Sequence, residues 1–311
     1  MTRVLVIVVT YNGRPWLDRC LGSVNSGNGL EADIFVVDND STDGSADYVR
    51  AHFPSAKLVR SAENLGFSKA NNLGMQYALD HGYDYVYLLN QDAWLAPGAL
   101  ETLVAASEAH PEYAVLSPLQ MTDGYKEYDK QFSKLVPKDR LFMNRRFATP
   151  PTVWAPPFYG TGGGTDSGRG CPSEPASVKR VMAAHWLVRV DALGKVGLFN
   201  ETLFPMYGQD DNWCHRALYH GYRIGIVPEA RAVHDRAQRK EPRESVINRN
   251  YYIGSLVRLC DINHPLWERF LYVILFTLVK SVKYFSIKPV KGFVDICRQI
   301  PQVRNLRTLY K

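Results

Sequence analysis

The sequence predicts an α/β protein with a mostly parallel central sheet flanked by helices, and three observations carry that prediction. A continuous β-branched run, Val4 to Val9, opens the chain and stops at TYNG, the pattern of a strand buried on both faces. Short strand-like runs recur at 34–37, 57–60 and 85–89, separated by candidate helices, as βαβ units require. Each of the four runs ends in a polar cluster, TYN, DND, ENLGF and NQD, and open α/β sheets bind ligands beyond such strand ends. Polar loops also follow strands in α/β proteins that bind nothing there.

The first helix is predicted from Arg14 to Val24, where Trp16, Leu17, Cys20, Leu21 and Val24 fall on one face. Ile34 to Val37 runs into DNDSTDGS, which offers several N-caps for a helix through Ala46 to His52. Lys57 to Arg60 leads to ENLGFSKANNLGM and a helix ending near Leu79, and Tyr85 to Leu89 follows as the fourth strand. Between Thr122 and Pro175 periodicity disappears and PPTVWAPP and GTGGGTDSGRG stand out. A stretch this long is either a functional lid or a disordered insert, and its aromatic residues favour a lid. Patterning returns at Val178 to Val190 and in a helix from Asp210 to His220.

A chain of 311 residues with 46% hydrophobic and 22% charged residues has ample length for a core and is not wholesale disordered. The expected organisation is one α/β domain over 1–257 and a basic amphipathic helical tail over 258–311. Within the domain we expect a first half at about 1–121, the lid at about 122–176 and a second half at about 177–257. The five cysteines, Cys20, Cys171, Cys214, Cys260 and Cys297, form no Cys-x-x-Cys pair and read as reduced thiols. The apolar start is too short for a signal peptide, so the expected location is cytoplasmic. The net charge of +6 is concentrated late: from Arg258 onward ten Lys or Arg stand against three Asp or Glu. Phe270 to Val279 is an uncharged core of only ten residues, short of the ~20 that span a bilayer. A helix lying on the inner face of the membrane accounts for the aromatics and lysines together. The other reading is a helix packed on the catalytic domain or on a homodimer partner.

Five segments then follow in order: VIVVTYN, VVDNDSTDGS, NLGFSKANNLG, LLNQDAWL and YGQDDNWCHRALYHGYRIGIVPEARAVH. In this order and spacing, over about residues 4–236, they resemble the inverting family 2 glycosyltransferases of GT-A fold, especially bacterial rhamnosyltransferase-like members. The resemblance implies transfer of a sugar from a nucleotide-diphosphate donor, with rhamnosyl from dTDP-rhamnose favoured and UDP-hexoses next. It implies as acceptor a hydroxyl of a glycan or lipid-linked saccharide in cell-surface polysaccharide synthesis. A catalytically weakened scaffold in a glycan-assembly complex is the alternative.

The family builds its base and ribose pocket from the first two strand ends, here Thr10, Tyr11, Asn12 and Asp38, and a carboxylate there can accept a pyrimidine N–H. Asn39, Ser41 and Asp43 are as readily explained by turn and helix capping. Asn64, Gly66 and Asn71 fall where the family places a loop over ribose and diphosphate; a plain strand-to-helix turn is the competing account. Gln91 and Asp92 complete the donor set. The family's Asp-x-Asp metal element begins here with Asn90, which leaves Asp92 as the carboxylate ligand of a Mg²⁺ or Mn²⁺ ion. His234 matches a family histidine that completes the metal shell, although a lone histidine is more often structural.

Gln209-Asp210-Asp211-Asn212-Trp213 aligns with the family's Glu-Asp-x-Asp segment and places Asp210 on the catalytic base, with Asp211 its rival on the acceptor side. An inverting transfer needs one such carboxylate to take the acceptor proton. Trp186 and Trp213 read either as an apolar acceptor wall or as core packing, and His185 stays unassigned. TYNGRPW carries a single glycine, with neither GxGxxG nor a P-loop, which argues against a dehydrogenase or a nucleotidyltransferase. The Leu and Phe content of the tail argues against nucleic acid as a partner.

Overall fold

The computed structural model describes residues 2–26, 30–125, 127–129, 131–135, 174–236, 243–284 and 288–311. Most of the expected lid lies outside these residues. The first four strands, β1 (Val4–Thr10), β2 (Ala32–Asp38), β3 (Lys57–Arg60) and β4 (Tyr85–Asn90), alternate with α1 (Arg14–Gly22), α2 (Ser45–His52) and α3 (Gly66–Asp80). All pairings among these strands are parallel, in the order β3-β2-β1-β4.

The remainder adds β5 (Ala93–Leu95), α4 (Ala99–Ala109), β6 (Tyr113–Met121), α5 (Phe132–Leu135), β7 (Ala176–Val178), β8 (His185–Arg189), α6 (Val190–Val196), α7 (Gln209–Tyr219) and β9 (Arg223–His234). β8 enters between β4 and β6 antiparallel to both, and β9 is parallel to β6 but antiparallel to β5 and β7. The nine-stranded sheet is therefore parallel in its first half and mixed in its second.

Period-two alternation along β1 feeds two cores, one on each face. Leu5 and Ile7 meet Phe35, Val37, Ala70, Met75, Val86 and Leu88 on the α3 side, whereas Val4, Val6 and Val8 meet Leu17, Leu21, Val49 and Leu103 on the other. A third core joins Leu203 and Phe204 to the C-terminal helices α8 (Arg243–Cys260), α9 (Leu266–Tyr284), α10 (Lys288–Arg298) and α11 (Ile300–Leu309). Because α8 runs unbroken across position 258 and shares this core, the helical layer begins near 243 and not at 258. Among the described residues no helix is long and apolar enough to cross a membrane.

One contact ties this third core to the loop between β3 and α3. Gly66 has φ +76°, and a Cβ there would stand 2.9 Å from the Pro205 carbonyl oxygen. The Ser68 N–H donates to that same oxygen at 3.1 Å, and the Ser68 hydroxyl donates to the Phe204 carbonyl. The close backbone approach that Gly66 permits is thus to Pro205 of the chain itself. Gly66→Ala combines a left-handed φ with this clash and is expected to lower stability by about 1–3 kcal/mol in urea denaturation; an unchanged midpoint would show that the loop relaxes freely.

Candidate functional site

The parallel register aligns Thr10 with Asp38 and Val9 with Asn90, so the β1, β2 and β4 ends share one edge. The chain leaves this edge through two strained residues, Asn12 at φ 51° and Asp40 at φ 68°, a conformation non-glycine residues adopt mostly where the surroundings enforce it. Gln91 enforces part of it: its Oε1 accepts from the Thr10 hydroxyl at 2.9 Å and from the Tyr11 N–H at 2.8 Å. Asn12 Oδ1 accepts from the Thr42 N–H at 2.9 Å, and Asp43 caps Arg14 and Ser45. Capping therefore accounts for Asp43.

Above this edge lies a cleft of about 700 Å³ whose lining includes Tyr11, Asn12, Asn64, Gln91, Asp92, Asp210 and His234. These seven of the expected residues are brought together. Thr10 and Asp38 lie fully buried beside the lining, with Thr10 holding Gln91. Asp38 Oδ2 faces Arg60 at 3.8 Å, while its buried Oδ1 has no hydrogen-bond partner. Asn71 is spent inside α3, donating to the Phe67 carbonyl at 2.9 Å, and neither it nor Gly66 reaches the cleft.

Asp92 and His234 come together because β5 and β9 pair with Ala93 opposite His234. Asp92 Oδ1 is 3.5 Å from His234 Nε2, both side chains are under a tenth exposed, and His234 Nδ1 is buried without a hydrogen-bond partner. Among the described residues no third His, Cys, Asp or Glu joins them. A carboxylate and an imidazole at this separation are spaced as two adjacent ligands of one small divalent cation would be. Behind them His185 is fully buried between the Tyr87 hydroxyl, 2.9 Å away, and the Val233 carbonyl, 3.0 Å away. Burial pushes its pKa down to about 3, so it serves as a neutral strut for the β9 end.

Asp210 stands in the first turn of α7, which starts after Gly208 at φ +82°. A Cβ on Gly208 would meet Ile253 of α8 at 2.7 Å, so α8 sets where this turn sits. Burial in the first place, and the Asp211 carboxylate in the second, raise the Asp210 pKa to about 7. Asp211 itself turns away and ion-pairs with Arg180, which separates the two rivals: only Asp210 lines the cleft. Trp186 and Trp213 are each 1% exposed with ring centroids 5.7 Å apart, and the Trp213 indole N–H donates to the Gly197 carbonyl at 2.7 Å. Core packing places both away from the cleft wall, so the acceptor-wall reading is replaced by its alternative.

Sequence reasoning missed Arg236, Met182, Met206 and Tyr207, all of which line the cleft. Arg236 is held by Asp129, Nε to Oδ2 at 2.7 Å, across a sequence gap that no local pattern bridges. Tyr207 has φ 72° and is 42% exposed; it opens the motif that contains Asp210, where it was given no role.

Comparisons with known proteins bear on the family and the fold. The model of the family described as Glycosyl transferase family 2 matches residues 5–158. The chain is 30% identical over 251 residues to the N-acetylglucosaminyl-diphospho-decaprenol L-rhamnosyltransferase of Mycobacterium tuberculosis, covering 76% of this chain and 78% of that one. It is 22% identical over 275 residues to the dTDP-rhamnosyl transferase RfbF of Shigella flexneri, covering 85% and 81%. Among solved structures, Staphylococcus aureus TarS 1–349 superposes with a TM-score of 0.56 at 15% identity, covering 88% of this chain and 69% of that one, which makes the fold GT-A-like.

Proposed function

The chain belongs to glycosyl transferase family 2, and from that premise we propose that it is an inverting, metal-dependent transferase. In this reading it moves a sugar from a nucleotide-diphosphate donor, with dTDP-rhamnose favoured and UDP-hexoses next, to a hydroxyl of a lipid-linked saccharide or glycan. The carrying observation is that Asp210, with a raised pKa, shares one cleft with the Asp92–His234 pair. The two relatives with rhamnosyl names support the donor, and the diphospho-decaprenol name of the first supports a lipid-linked acceptor.

Asp38, with an unpartnered buried oxygen at the β2 end, suits the N–H of a thymine or uracil ring. Asn12 and Asn64 at the cleft wall suit the ribose and diphosphate. Asp92 and His234 would hold a Mg²⁺ or Mn²⁺ ion, which supplies charge neutralisation for the departing diphosphate. The acceptor hydroxyl attacks the anomeric carbon from the face opposite the diphosphate. Asp210 takes its proton as the new C–O bond forms and the old one breaks, and burial of the cleft strengthens this carboxylate as a base. The proposed setting is the cytoplasmic face of a membrane, in cell-surface polysaccharide synthesis.

A panel of nucleotide sugars screened by thermal shift with and without Mn²⁺ tests the reading, because a ligand that binds only the native state raises its melting temperature. The expected outcome is stabilisation by a dTDP- or UDP-sugar that grows with Mn²⁺. Asp92→Asn should weaken the Mn²⁺-assisted binding about tenfold or more, in keeping with the loss of one charged ligand. Metal-independent binding that Asp92→Asn leaves untouched would remove the metal from the proposal.

A further inference from the structure

We propose that the outer face of α9, together with a basic groove between α8 and α10, docks the protein on an anionic lipid surface. The inner face of α9 is already packed: Val273 is fully buried, the Thr277 hydroxyl meets the Tyr251 hydroxyl at 2.5 Å, and Phe276 stacks on Tyr251. Among the described residues nothing covers the outer face. Trp267, Leu271, Leu275, Leu278 and Val282 recur every three or four residues and are 49–71% exposed, so they form one stripe. A contiguous apolar stripe of this length marks an interaction surface.

The groove lies between α8 and α10, the two helices that pack against α9. It encloses about 440 Å³ and is lined by Asn248, Arg249, Tyr252, Lys288, Lys291 and Asp295, three cations against one carboxylate. Phe293 of α10 packs on Phe270 of α9 at 5.8 Å, which sets Lys291 two residues from a contact that itself lies one residue before Leu271. On its other side the groove approaches the cleft: the Arg249 guanidinium lies over the Tyr207 ring at 4.4 Å, and Tyr207 lines the cleft. These two contacts connect the basic groove to the α9–α10 packing on one side and to a residue of the cleft lining on the other.

Charge selects lipid over a second copy of the chain. From Arg258 onward ten Lys or Arg stand against three Asp or Glu. A two-fold pairing along the stripe would bring this excess against itself, since an isologous interface juxtaposes the same patch. An anionic headgroup layer accepts both parts, the apolar stripe at the acyl boundary and the cations at the phosphates. Such docking presents the cleft mouth to a membrane-borne acceptor, and in that respect the inference deepens the transferase reading.

The test floats the full chain, without donor or acceptor, on vesicles of phosphatidylcholine alone and of phosphatidylcholine with phosphatidylglycerol. Binding is expected on the anionic vesicles. Leu275→Glu combined with Val282→Glu should lower the partition about tenfold or more, and Lys288→Glu with Lys291→Glu should lower it about fivefold per residue while flattening its salt dependence. Circular dichroism melts matching the parent establish that these surface variants fold, and their transfer to a soluble saccharide acceptor stays unchanged. Equal flotation of parent and stripe variant overturns the proposal. So does a parent that does not float but forms a dimer split by Leu275→Glu, which assigns the face to a second copy. Flotation as expected with no transfer to any acceptor would instead sink the transferase reading and leave the docking surface standing.

Discussion

Asp210→Asn is expected to reduce kcat by about 10²–10⁴-fold, the contribution of a positioned general base, with donor binding in the presence of Mn²⁺ close to that of the parent, as the proposed role of Asp210 requires. The separation follows from geometry, since the Asp92–His234 pair is built on β5 and β9 whereas Asp210 is carried by α7. The parent's kcat/KM should rise with pH through about 7, because burial and the Asp211 carboxylate hold the Asp210 proton to that range and only the ionised form accepts the acceptor's proton. The same shift costs stability. Between about pH 4, the ordinary carboxylate range, and pH 7 the native state keeps a proton that the unfolded chain releases, so stability falls as pH rises across that window. Asp210→Asn should therefore melt above the parent at pH 8 and level with it near pH 4. Undiminished turnover in this variant would transfer the role elsewhere, with Asp211 the next carboxylate in line.

Arg216→Ala should lower folding stability by about 2–5 kcal/mol, the sum of stranded carbonyls and a cavity. The Arg216 side chain is fully buried and donates to the Val196 carbonyl at 2.6 Å and the Leu198 carbonyl at 2.7 Å. Its guanidinium also lies over the Tyr310 ring at 3.9 Å, so one residue fastens α7 to the end of α6 and to the close of α11. Burial pushes its pKa down to about 10, the mark of a cation held in place against desolvation. Arg216→Lys keeps a charge but lacks the planar fork that reaches both carbonyls, and it should recover only part of the loss. Urea titration followed by circular dichroism measures both variants; parental midpoints in both would show the fork to be dispensable. Since α7 carries Asp210, the alanine variant should also lose activity in proportion to its unfolded fraction.

The four parallel strands and the helices between them were legible because their signals are local. Val4–Thr10 shows its burial on both faces in a run of β-branched residues, and α1 shows its inner face in the spacing of Leu17, Cys20 and Leu21. The ordered motifs imply donor, metal and base roles for Tyr11, Asn64, Asp92, Asp210 and His234, and the structure gathers these residues around one cleft. Where the sequence left two readings open, long-range packing chose between them. Trp186 and Trp213 look alike as acceptor walls or core residues until β8 is seen threaded antiparallel between β4 and β6, with its tryptophan turned inward. Asp210 and Asp211 are neighbours of equal chemistry until Arg180, from a different loop, claims Asp211.

The chain by itself determined the α/β class, the strand-end site and the residue types that meet there, since periodicity and turn chemistry are written within about ten residues. Only the tertiary structure decided that Gly66 makes room for Pro205, that Asp129 holds Arg236 at the cleft and that α9 keeps one face packed and the other bare. Each of these is set by segments far apart in sequence that meet when three cores close, and no local pattern encodes which segment arrives.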